Sequence, residues 1–77
     1  MIVEVTRGMI RLAVGGREVQ LEGELLNRSP DGPDFVVFSG MLKKWSDATP
    51  ITDADRRQIL DDLRVSARTK GLRIEIE

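Results

Sequence analysis

The sequence predicts an α+β domain in which five strands and one helix follow the order β-β-β-β-α-β, the helix packing on one face of an antiparallel or mixed sheet. Three observations carry this expectation. Apolar residues alternate with polar or small ones through the first third of the chain. A stretch with helical spacing lies between a cap at Thr52 and a stop at Gly71. Alternation then returns in the last residues, at Leu72, Ile74 and Ile76.

The first three strands follow from Val3 and Val5, then Ile10, Leu12 and Val14, then Val19 and Leu21. If Arg7-Gly8 forms a two-residue turn, Val5 faces Ile10 and Val3 faces Leu12. If Gly15-Gly16 forms another, Ile10 faces Leu21 and Leu12 faces Val19. Both registers gather the same apolar set on one face, whereas a slip by one residue in either hairpin scatters it to both. The opposite face aligns Glu4, Arg11 and Gln20, and also Ile2, Ala13 and Glu18, so it is largely polar.

After Gly23-Glu24 the residues from Asn27 to Asp34 are turn chemistry throughout, with two prolines and a glycine. The fourth strand, Phe35 to Phe38, is apolar on both faces, which calls for a covered position. Ser39 to Pro50 has no clear period and reads as a loop with one helical turn. Thr52 then caps a helix, with Asp53 and Asp55 in its first turn and Thr-x-x-Asp approximating a capping box. Ile59, Leu60, Leu63 and Ala67 share its apolar face. Arg68, Lys70 and Gly71 end it, and the last strand pairs with strands already made.

The whole chain, residues 1–77, is expected to form a single compact domain, since 77 residues and 8.6 kDa leave no room for a second core. Such a domain buries only about 60% of the surface its unfolded chain exposes, so a partner is welcome. Without cysteine it has no disulfide and no thiolate metal site, and without histidine and tyrosine it lacks the usual general base. No catalytic residue, cofactor or metal is expected. The longest apolar run, Phe35 to Phe38, is far short of the roughly 18 residues that span a bilayer. The amino terminus does not read as a basic stretch followed by an apolar region and a cleavage site, so the expected location is cytoplasmic. A net charge of -1 gives no field that draws in nucleic acid or an anionic membrane.

Paired carboxylates are the remaining catalytic material. Asp53 and Asp55 are explained by the helix dipole, and Asp61 and Asp62 point about 100° apart on a helix. Glu22 and Glu24 flank Gly23 on one face, too few oxygens for a hard cation. Arg57, Arg64 and Arg68 share one side of the helix as an anion-binding candidate. The competing reading is a salt-bridged surface in which Asp61 pairs with Arg57 and Arg64. With Lys43, Lys44 and Trp45 nearby, the stripe would suit single-stranded nucleic acid. Arg56 falls within the apolar arc, where its stem can cover the sheet's rim while the guanidinium reaches a carboxylate or water. Trp45 is either a plug for the core or an anchor for a partner.

The segments "IVEVTRGMIRLAVGGREVQLEGELL", "DFVVFSGMLKKW" and "ITDADRRQILDDLRVSARTKGLRIEIE" together resemble the immunity protein 74 family of bacterial polymorphic toxin systems. The matching features are Gly23-Glu24, the Phe35 to Phe38 strand, Lys44-Trp45, the helix opening at Ile51-Thr52 and the strand after Gly71. The resemblance implies a non-enzymatic protein that binds a cognate toxin and occludes its active site. Trp45, Lys43, Lys44, Asp31 and Asp34 are the expected contact residues. A homodimer through the open sheet face, with Ile2, Met9, Ala13 and one side of the fourth strand, is a further expectation.

Overall fold

The computed structural model describes residues 1–26 and 32–77, and Asp31, an expected contact residue, lies outside them. The strands are β1 (Ile2–Val5), β2 (Met9–Val14), β3 (Arg17–Leu25), β4 (Phe35–Val37) and β5 (Ile74–Ile76); a 3-10 turn covers Ser39–Met41 and α1 spans Asp53–Lys70. The fold is α+β, with one mixed sheet ordered β1-β2-β3-β4-β5. Every neighbouring pair is antiparallel except β4 and β5, which are parallel and joined through α1.

The second hairpin forms as its glycines require. Gly15 and Gly16 hold φ of 57° and 81°, the left-handed pair of a type I′ turn, and Ile10 meets Leu21 while Leu12 meets Val19. In the first hairpin the Thr6 hydroxyl accepts from the Gly8 and Met9 N–H groups, and Val5 pairs with Ile10. Beyond that the expected register is corrected. A bulge between Ile2 and Glu4 pairs Ile2, rather than Val3, with Leu12. Ile2 therefore sits in the core at 5% exposure, and Val3 is 46% exposed. Ile2 is thus not in line with Ala13 and Glu18 on the open face; Ala13 and Glu18 do pair there.

β3 is long because it serves two partners, β2 along its first part and β4 along Gly23 to Leu25. Gly23 is required at that change of partner: a Cβ there would run into the Val36 carbonyl oxygen and come within 2.5 Å of Phe35 Cε1. Phe35 and Val37 enter the core. Val36, alternating with them, is buried outside that cluster. Phe38 lies one residue past the strand and leads into the 3-10 turn.

Thr52 caps α1 through a full capping box, its hydroxyl accepting from the Asp55 N–H and the Asp55 carboxylate accepting from the Thr52 N–H. Gly71 closes the helix in the left-handed conformation at φ 69°. Ile59, Leu63 and Ala67 are buried against Ile10, Leu12, Val19, Leu21 and Phe35, with Leu60 half-buried beside them. α1 lies closest to β1 and β2. The core side chains of β5, Ile74 and Ile76, and the nearby Leu72 remain half-buried. No helix among the described residues is long and apolar enough to cross a membrane.

Candidate functional site

The segment after β4 determines what the molecule displays. Arg56 fixes it: Nη1 donates to the Ser39 carbonyl at 2.6 Å and Nη2 to the Leu42 carbonyl at 2.8 Å. The guanidinium thus reaches backbone carbonyls rather than the expected carboxylate or water, adding to the Ser39 carbonyl, which also accepts from the Leu42 N–H, and clamping both ends of the turn. Leu42 is buried beneath it. Ser39 ties the same turn to the end of the sheet, its N–H donating to the Glu77 carbonyl at 2.9 Å.

From Lys43 the chain makes a closed loop. Lys44 and Pro50 form an isolated antiparallel bridge, and the Ile51 N–H donates to the Lys43 carbonyl. The Ser46 N–H donates to the Glu18 carbonyl, and the Trp45 N–H to the Thr49 carbonyl, each at 2.9 Å. Trp45 is therefore held inward at 4% exposure as part of the core. Its indole N–H donates to Asp55 at 3.3 Å, and the Arg17 guanidinium lies 4.1 Å from the ring centroid. Arg17 in turn is 3.7 Å from Asp47. Sequence reasoning missed Arg17 altogether, since no spacing rule connects a residue of β3 with a ring in a distant loop.

Two carboxylates near this ring are held below their ordinary pKa of 3.8. For Asp55 the causes are, first, the bond from the Thr52 backbone, then the bond from the Trp45 indole. For Asp47 they are the side-chain and backbone bonds of Thr49, with the Arg17 charge contributing less. Neither pairs with a second acid that a proton could bridge. Among the described residues no three His, Cys, Asp or Glu side chains gather as a metal cluster would.

Outside the buried ring lies an open groove of about 480 Å³, lined by Gln20 and Glu22 of β3 and by Met41, Lys43, Lys44, Trp45 and Ser46. Lys43, Lys44 and Glu22 are exposed, and none of them has an ion-pair partner among the described residues. Met41 is 57% exposed. The groove thus sets an apolar side chain beside unpaired charges of both signs, next to a turn fixed by Arg56.

The other expected residues lie elsewhere. Asp34 is at the far end of β4, its carboxylate accepting from the Arg73 N–H at 2.9 Å and lying 3.5 Å from the Arg73 guanidinium. Its side chain is only 16% exposed. Arg57, Arg64 and Arg68 are exposed on α1, but only Arg64 pairs with Asp61, at 3.3 Å; the expected Arg57–Asp61 pair is absent. Asp62 instead meets the Met1 amino group at 2.7 Å and accepts from Ser66.

A model of the family described as Immunity protein 74 matches residues 2–77, essentially the whole chain. The chain belongs to the immunity protein 74 family. That membership supports an immunity function, a toxin as binding partner and a non-enzymatic role. No curated protein and no solved structure matches the chain. As a member of the immunity protein 74 family, the molecule is read through its surfaces, and the Lys43–Lys44 groove is one where a fixed backbone displays unpaired charge.

Proposed function

We propose that this immunity protein neutralises a cognate bacterial toxin in the cytoplasm by binding it and occluding its active site, without catalysis of its own. The family match carries the partner class. The exposed, unpaired Lys43 and Lys44 beside Met41 support this groove as part of the contact surface. Opposite charges on facing walls select a partner by complementarity, because a wrong partner leaves them desolvated and unpaired. Trp45 supports the surface from beneath, by holding the loop that presents the two lysines, whereas Asp34 lies at the other end of β4 against Arg73.

The test is co-expression with the toxin domain encoded beside the gene. The wild-type chain is expected to restore growth and to co-purify with the toxin; growth arrest and no complex would overturn the reading. Lys43→Glu with Lys44→Glu is expected to weaken the complex by about tenfold or more, roughly 1.4 kcal/mol, while leaving the melting temperature unchanged. Sedimentation of the free protein checks the competing homodimer.

Single-stranded nucleic acid is the weaker reading. It requires an exposed ring for base stacking, and the Trp45 ring is buried and covered by Arg17.

A further inference from the structure

The two edges of the sheet, β1 and β5, differ in their fitness to accept another strand. β1 is broken by the bulge between Ile2 and Glu4, a device that spoils an edge for pairing. β5 is regular, with Ile74, Glu75 and Ile76 registered on Phe35, Val36 and Val37. The Arg73 carbonyl accepts from the Phe35 N–H, and the Glu77 N–H donates to the Val37 carbonyl. Alternation along the strand therefore turns the backbone groups of Ile74 and Ile76 away from β4, to the side where the sheet has no further strand among the described residues.

The side chains beside this edge are unfinished in the same direction. A cleft of about 410 Å³ runs between α1 and β5, with half-buried Leu72 and Ile74 in it and Arg64 and Arg68 along the helix wall. Arg57 lies on the same side of the helix. Arg57 and Arg68 have no acidic partner among the described residues. Arg64 and Arg68 are one helical turn apart, a rise of about 6 Å, and alternate side chains of a strand repeat at about 6.6–6.8 Å. Two carboxylates at alternate positions of an added strand thus match two guanidinium groups in spacing and charge. A second copy of the chain fails this match, since edge-to-edge pairing about a two-fold axis brings arginine stripe toward arginine stripe.

We propose that β5 receives an extended segment of the toxin as a sixth strand, with acidic side chains on the face turned toward α1. This rests on the immunity reading and names how the partner docks: main-chain bonds at Ile74 and Ile76 supply affinity and the arginines supply selectivity. The Ser39 bond to Glu77 ties the end of this edge to the turn bearing Met41.

The test is hydrogen exchange on the complex with the catalytically inactivated toxin domain encoded beside the gene. The Ile74 and Ile76 amides are expected to slow by about tenfold or more on binding. Arg64→Glu with Arg68→Glu is expected to weaken the complex at least as much, with the isolated variant keeping its cooperative melt. A complex that forms without protecting those two amides overturns the strand addition and leaves the immunity reading standing. Protection that survives the charge reversal overturns the acidic partner strand. Failure to form any complex overturns both.

Discussion

At the scale of single residues, two positions decide more than their exposure suggests. Gly23 has no space for a Cβ between the Val36 carbonyl and the Phe35 ring. Gly23→Ala is therefore expected to destabilise the fold by about 1–3 kcal/mol, read from urea unfolding, because the obstacle is backbone that cannot rotate away. Asp55 holds the helix cap and the Trp45 indole with one carboxylate. Its pKa and that of Asp47 are lowered by folding, so as acid is added the unfolded chain takes up these protons before the folded one does. The stability they contribute is present above the ordinary value of 3.8 and is lost as pH falls through the lower folded values. Trp45 is the only tryptophan, so its fluorescence reports the transition directly. Followed this way, the loss of stability in acid is expected to be weaker in Asp55→Asn; an unchanged acid midpoint in that variant would sink the assignment.

At the scale of elements, α1 depends on its caps and on Arg56. Thr52→Ala removes the hydroxyl that accepts from the Asp55 N–H and is expected to cost about 0.5–2 kcal/mol in a thermal melt. Arg56→Met keeps the stem over the apolar rim but abandons the Ser39 and Leu42 carbonyls. Exchange at the Met41 and Leu42 amides is expected to accelerate while the helix core keeps its protection. These elements were also the most legible in the sequence. Caps and two-residue turns are local rules, so Thr52, Asp55, Gly71 and the Gly15-Gly16 turn were all placed correctly. The β1 bulge was not, because Ile2 and Val3 are both apolar and alternation alone cannot choose between them. The parallel pairing of β5 was left open between two sheet types, since its partner lies across the entire helix.

At the scale of the whole molecule, the candidate surface was legible in part. Lys43 and Lys44 are exposed as expected, whereas the tryptophan beside them turned inward, since Arg17 and Asp55 arrive from elements remote in sequence. If the groove steers a toxin by charge, association with the wild-type chain slows as salt is raised. The Lys43→Glu, Lys44→Glu variant should then lose most of that salt dependence, in stopped-flow measurements. The parallel join of β4 to β5 also sets a schedule. The β1–β3 meander closes over two tight turns, whereas β5 can seat only after the chain has made the helix and come back. Pulse-labelling during refolding should find the meander amides protected first and those of β5 last. A newly made chain would then become able to protect its cell only at the final step of its own maturation, when its last strand takes its place.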